Sequence, residues 1–432
     1  MDSNTPTFDQ QRTYSSQTLS SSAQESRYSL DINKRIFPDS REVKTSLDWH
    51  TSNRIFKAKL QEIIQKTLKN KQGNQIQQCG KAVKWLNSNV DIFYHVDSNK
   101  VIFSNILDCR KGWTCPRCAS RLAAQKKAEL LQLQKVVRDE GLHAYMMTLT
   151  IPHSLKDNLS DLLERLSLVQ SNFTDALRGK KWKRIFSKVG HITVLEITYS
   201  ARFGWHPHLH VLVISEKGYT GEEIITIEKE LYETWSAKCQ ISGVRKPNKK
   251  FGVKLQNCVS EAERLDTKVI HYLVKHGFIN EIDERRIEEK MTHGESLTIW
   301  EIAFLSQHPD QHIARKYGLI LREYTRSMVN KHFIRWSKLL TDYLKNNGYD
   351  FKDRVVQKIK KHIQKQAWLA RRKLVAQIDH PLWLRICRKP YVLQHQLLQS
   401  VELDLKYGIA ECRIYPRTDR LLKYIRQSKL YD

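Results

Sequence analysis

The apolar residues between Ala144 and His276 keep switching between a period of two and a period near 3.6. The order of those switches restricts the fold more than any other property of the chain. Ala144 to Ile151 (AYMMTLTI) reads as a strand. Ser154 to Arg178 reads as a long helix whose apolar stripe begins at Leu155, with Ser154 as N-cap and Gly179 as stop. His191 to Tyr199 and His206 to Ile214 alternate as two strands joined by a short turn containing Gly204. Gly221 to Lys238 is helical, Phe251 to Val259 extended, and Glu261 to His276 helical up to Gly277. The order is β-α-β-β-α-β-α.

The first six of these elements follow the split βαβ arrangement. The expected class is therefore α+β, with a ferredoxin-like antiparallel sheet and helices on one face. Residues 141–280 hold this regular unit. Ahead of it, residues 46–140 carry a basic amphipathic helix over Asn53 to Asn70, strand-like runs at Asp91 to Val96 and Lys100 to Ile106, and a helix from Ser120 to Glu140 that stops at Gly141. Residues 1–45 read as a disordered tail, because 8 Ser, 4 Thr and 4 Gln in the first 30 residues leave too little apolar surface to offset ordering entropy. Residues 281–432 read as basic and helical.

Lys and Arg number 73 against 46 Asp and Glu, a formal net charge of +27 that calls for a polyanionic partner, either nucleic acid or an anionic surface. No apolar run approaches the length of a membrane span, and the first 30 residues lack the apolar core of an export signal. A cytoplasmic, reducing setting is therefore expected, where clustered cysteines favour metal over disulfides. Cys109, Cys115 and Cys118 form such a cluster, with Cys115 and Cys118 as a knuckle for structural Zn²⁺. Cys79 is the best candidate for the fourth ligand, ahead of His95 and His143.

Three histidines, His206, His208 and His210, alternate along one strand and so share a face. Two imidazoles two residues apart can reach one divalent cation. Glu196 lies on the neighbouring strand of the hairpin and supplies a harder ligand if its face is the same. Tyr272 sits on the last helix with Lys275 at i+3, His276 at i+4 and Lys268 at i−4, on one side. A phenolate beside a metal and ammonium groups is a competent nucleophile toward a phosphodiester.

HPHLHVLVI at 206–214 resembles the His-hydrophobic-His motif of HUH endonucleases, in particular the single-tyrosine rolling-circle replication initiators of small bacterial plasmids. MTLT at 147–150 is similar to the first motif of that family, and IHYLVKHGF at 270–278 to its third. CRKGWTCPRCASR at 109–121 is similar to a cysteine-rich element that precedes them. The resemblance implies an endonuclease domain at 141–280 that nicks and rejoins single-stranded origin DNA. His208 and His210 would be metal ligands, Glu196 the third ligand, His206 a secondary candidate, Tyr272 the nucleophile and Lys275 its electrostatic partner. It implies Mg²⁺ or Mn²⁺ as cofactor, and a host helicase and polymerase as partners. One position departs from the pattern: Lys268 stands where many members carry a glutamate that activates water in the terminating step, with Glu263 or Asp266 as substitutes.

Three basic regions outside these motifs are candidate DNA contacts: Lys180, Lys181, Trp182, Lys183 and Arg184, then Arg245, Lys246, Lys249 and Lys250, and the basic C-terminal third, residues 281–432, which reads as a DNA-binding region for the adjoining duplex. Trp182, Trp336, Trp368 and Trp383 are candidate platforms for unpaired bases. Competing readings are a single-tyrosine transposase, a mobilisation relaxase, and a non-catalytic DNA-binding regulator with structural zinc. The relaxase is disfavoured because its tyrosine generally precedes the histidines.

Overall fold

The computed structural model describes residues 49–68, 74–85, 87–95, 100–186, 188–260, 262–277, 284–349, 372–388 and 392–406. The Ser/Thr/Gln-rich tail, Trp368 and the basic run after residue 407 lie outside these residues. Among the described residues the strands are β1 (Val90–His95), β2 (Lys100–Phe103), β3 (His143–Thr150), β4 (Lys188–Ser200), β5 (Gly204–Ser215), β6 (Val253–Asn257), β7 (Ile334–Trp336) and β8 (Arg372–Ile378). The main sheet has the order β6-β3-β5-β4-β7, with every pairing antiparallel. The protein is α+β, as the alternation of periods requires.

β5 is central, and nearly all its side chains are buried. It tolerates Pro207 because β3 ends opposite His208, so only β4 flanks the proline, at a place where a missing N–H costs little. Helices cover both faces of this sheet, which corrects the expectation of helices on one face. Leu159–Ala176 lies over the face that carries Met147, Val211 and Val213. The tyrosine helix, Thr267–Leu273, lies over the opposite face, where the Tyr272 hydroxyl reaches His210.

Local chemistry explains the shifted boundaries. Ser154 does not cap a helix. Its N–H and hydroxyl both bond to Asp157, closing a turn, and the cap is Asn158, whose side chain accepts from the Asp161 N–H. Leu155 therefore leaves the apolar stripe and is exposed. The tyrosine helix is shorter than its periodicity suggests. Asp266 caps its start and it tightens to a 3₁₀ turn at Lys275–Gly277. The cysteine helix, Pro116–Asp139, ends as expected at Gly141, whose φ of 65° needs no Cβ.

The C-terminal third is not wholly helical. β7 adds an edge strand to the main sheet beside β4, and β8 pairs with β1 in a second sheet, β2-β1-β8. A second apolar core forms there around Trp383, Ile386 and Leu397. Among the described residues no helix is long and apolar enough to cross a membrane.

Candidate metal and tyrosine site

The β4–β5 register places Glu196 directly opposite His208 and Val194 opposite His210. Directly paired residues in an antiparallel ladder point to the same face, so the carboxylate projects between the two imidazoles. Glu196 Oε2 lies 2.8 Å from His210 Nε2 and 3.1 Å from His208 Nε2. Both separations are close to the ~3 Å between neighbouring oxygen or nitrogen ligands of an octahedral ion held at ~2.1 Å.

The other ring nitrogens are fixed as well. His208 Nδ1 faces the His206 carbonyl at 3.4 Å, and His210 Nδ1 meets the Thr148 hydroxyl at 3.1 Å. A carbonyl only accepts, so His208 donates from Nδ1. Both Nε2 atoms are thereby turned toward the Glu196 carboxylate, and fixed Nδ1 partners of this kind are the usual support of metal-bound histidine.

His206 stands apart from this cluster of ligand atoms, which comprises Glu196, His208 and His210. Its Nδ1 is 2.6 Å from His153 Nε2, and burial, reinforced by His208, drives its pKa down to about 3. Neither Thr148 nor His153 stood out in the sequence as a site residue. The alternation of MTLT, with Thr148 opposite His210, is the signal for the first. For His153, just past the strand end, the sequence carries none.

The tyrosine helix brings the Tyr272 hydroxyl to 3.2 Å from His210 Nε2 and 3.4 Å from Glu196 Oε2. Lys275 Nζ lies 2.7 Å from Glu196 Oε1 and 3.7 Å from the centre of the Tyr272 ring. Burial, and then the Glu196 charge, hold the Tyr272 pKa above the usual phenol range. Burial opposes ionisation of Glu196, but hydrogen bonds from His208 and His210 and the Lys275 charge outweigh it and keep the carboxylate ionised. The two candidate substitutes for the glutamate four residues before the tyrosine are engaged elsewhere: Glu263 pairs with Arg138, and Asp266 caps the helix.

The second cluster is a four-cysteine centre. Cys79 joins Cys109, Cys115 and Cys118, with Sγ–Sγ distances of 3.6 to 3.7 Å and all four buried. Four thiolates placed tetrahedrally ~2.3 Å from one Zn²⁺ are separated by ~3.8 Å, so the donor set fits that ion. Hydrogen bonds from the neighbouring thiols, Cys109 first, lower the pKa of Cys79 and of Cys118, while Cys109 and Cys115 are raised by the remaining thiols and by burial. The cysteine helix that starts at this centre packs against the turn after Tyr272: a Cβ on Gly277 would lie 2.4 Å from the Ala119 carbonyl. His143 and His95 are not members of this cluster.

Of the basic runs, Lys180, Lys183 and Arg184 are exposed on the helix Lys180–Phe186, and Lys181 pairs with Glu230 at 3.2 Å. Arg245, Lys246, Lys249 and Lys250 are exposed in the loop before β6. Two of the tryptophans are not platforms for bases. Trp182 is buried and stacks on Phe186, and Trp383 is buried with its Nε1–H donated to the Lys81 carbonyl.

An α+β sheet that presents two histidines, a glutamate and a tyrosine hydroxyl at one point defines a protein with a compact, metal-compatible phenol site. Residues 101–378, more than half of the chain, match the family described as Replication protein (Rep_1), and the chain belongs to that family. It is 26% identical over 162 residues to the neomycin resistance protein of Streptomyces cyanogenus, covering 31% of this chain and 37% of that one. It is 24% identical over 135 residues to the protein rep of Streptomyces lividans, covering 25% of this chain and 30% of the relative. The chain thus spans well under half the length of both relatives. No solved structure matches.

Proposed function

We propose that this protein initiates rolling-circle replication of a plasmid by nicking and rejoining single-stranded origin DNA through Tyr272, on a ferredoxin-like HUH core of the single-tyrosine kind. The observation that carries the reading is the Tyr272 hydroxyl, 3.2 Å from His210 Nε2 and 3.4 Å from Glu196 Oε2. The strand order β6-β3-β5-β4, which puts the first and third strands of the unit at its centre, supports the core. Membership of the replication protein family supports the role.

His208, His210 and Glu196 would hold Mg²⁺ or Mn²⁺, which when bound supplies Lewis-acid polarisation of a non-bridging phosphate oxygen. The chain's own groups do the rest. The helix cap at Asp266 and the turn at Lys275–Gly277 hold the phenol against the cluster. Lys275 lies against the face of the ring and favours the phenolate. The phenol oxygen forms a bond to phosphorus while the bond to the 3′ oxygen breaks. The products are a 5′-phosphotyrosine and a 3′-hydroxyl that a host polymerase extends behind a host helicase. Because the phosphodiester energy is kept in the phosphotyrosine, attack by a 3′-hydroxyl reverses the step without a nucleotide cofactor. The four-cysteine centre would hold structural Zn²⁺ behind the tyrosine helix. The exposed Lys180, Lys183 and Arg184 and the loop Arg245 to Lys250 would meet the phosphates of the adjoining duplex.

The test is a supercoiled plasmid carrying the cognate origin, incubated with the full chain and Mn²⁺. The wild type converts it to open circle and Tyr272→Phe does not. Nicking by Tyr272→Phe at the wild-type rate overturns the assignment.

A further inference from the structure

We propose that the tip of the β4–β5 hairpin is a subsite for one unpaired DNA base near the scissile phosphate, with the base stacking on Phe203 and its phosphate meeting Arg202. This rests on the DNA-nicking reading and specifies where the strand lies.

Hairpin tips usually carry small polar residues, because the tip faces water. Here the tip reads Arg202-Phe203-Gly204, and Phe203 is 53% exposed. Leu155, on the turn beside it, is 57% exposed. The two turns are in contact: Gly204 has φ 76°, and a Cβ there would lie 3.0 Å from Leu155 Cα and from the Ser154 carbonyl. Two large apolar residues thus sit exposed on adjoining turns, and Lys156 next to Leu155 is exposed too.

The tip is held in place. Ser200 Oγ accepts from the N–H groups of Phe203 and Arg202, at 3.0 and 3.3 Å. The Arg202 guanidinium lies 5.0 Å from the centre of the Phe203 ring. A rigid aromatic ring with a cation beside it matches the chemistry of an unpaired nucleotide, with a π-face for the base and a positive charge for the phosphate.

The patch is continuous with the site. The Phe203 carbonyl bonds to His153 Nδ1 at 3.2 Å, and His153 Nε2 lies 2.6 Å from His206 Nδ1. His206 is two residues ahead of His208 on β5. The four strand steps from Gly204 to His208 amount to ~14 Å, a distance that a few nucleotides bridge. His153 and His206, left outside the metal cluster, tie the platform to the histidine strand.

The experiment measures binding of fluorescein-labelled dT20 to the full chain by anisotropy, without divalent metal so that the strand stays intact. A generic oligonucleotide suffices because stacking is tolerant of sequence. Phe203→Ala is expected to weaken binding about 5- to 100-fold, and Phe203→Trp to keep it within about twofold. Wild type should bind an all-abasic strand of the same length no better than Phe203→Ala binds dT20. Arg202→Ala should lower the slope of log affinity against log salt by about one. Unchanged dT20 binding by Phe203→Ala overturns the subsite. So does an equal loss on the abasic strand, or a Phe203→Ala effect seen only as a smaller sedimenting mass, which would make the patch a contact between copies. If Tyr272→Phe still nicks but the Phe203 variants behave as expected, the nucleophile is wrong and the subsite stands. If Tyr272 forms a DNA adduct while Phe203→Ala binds normally, the subsite alone fails.

Discussion

Gly277→Ala is expected to slow nicking by about two orders of magnitude while leaving the protein folded. Gly277 follows Lys275 by two residues in the 3₁₀ turn after the tyrosine helix. A Cβ at this position would sit 2.3 Å from Ala123 Cβ and 2.4 Å from the Ala119 carbonyl oxygen. Carbon atoms settle ~3.5–4.0 Å apart, so the turn and the cysteine helix must separate by at least ~1.2 Å. The cysteine helix is the stiffer partner, with 24 residues anchored at its start by the four-cysteine centre. The displacement therefore falls on the short turn. It carries Lys275 away from Glu196, now at 2.7 Å, and the Tyr272 hydroxyl away from His210, now at 3.2 Å. Misplacing a reacting group by about 1 Å costs on the order of 100-fold in rate. The accompanying loss of stability, from overpacking, is about 1–3 kcal/mol. The assay is single-turnover cleavage of a labelled origin oligonucleotide, with urea unfolding and dT20 binding as controls. A Gly277→Ala rate within about threefold of wild type would refute the claim that close packing on the cysteine helix positions the nucleophile.

Other outcomes follow from the same structure. Gly190→Ala puts a Cβ 2.3 Å from Leu340 Cβ, so the helix Lys338–Asn346 must lift from β4. Urea unfolding should show a loss of about 1–3 kcal/mol, and an unchanged midpoint would contradict that docking. Burial lowers the His276 pKa from 6.5 to about 4. The unfolded chain takes up a proton below pH ~6.5 that the native protein refuses until about pH 4, so stability is full above that window and falls as pH drops through it, by on the order of 3 kcal/mol. His276→Asn should flatten that slope in pH-dependent unfolding, and an identical slope would count against it. Atomic absorption of the purified chain should find about one zinc per molecule, and Cys118→Ser should lower that content. A well-folded, zinc-free wild type would contradict the four-cysteine centre.

The sequence was most legible where period and register act together. Alternation alone places His208 and His210 on one face, and the β4–β5 register, which alternation does not fix, sets Glu196 opposite His208. Tyr272 was legible only by resemblance, since a helix tyrosine beside lysines has no local signature of chemistry. Cys79 joins the other cysteines from 30 residues before Cys109, a closure made by tertiary packing. β7 and β8 escaped because strands of three and seven residues in basic sequence have weak period-two patterns, and pairing with β4 and β1 decides them. Trp182 lies in a basic run, where a tryptophan has the same sequence signature whether it faces solvent or core. The stack on Phe186 settles it. His153 reaches His206 across a turn that local propensity read as the first turn of a helix.

The central claim is that a phenol, held against a His-His-Glu cluster, takes the phosphate. Mass spectrometry of the full chain, digested after incubation with Mn²⁺ and a single-stranded origin oligonucleotide, tests this most directly. The expected result is a nucleotide adduct on the peptide that contains Tyr272, lost in Glu196→Ala and in Tyr272→Phe. Cleaved DNA with no adduct, or an adduct mapped to another residue, would contradict it.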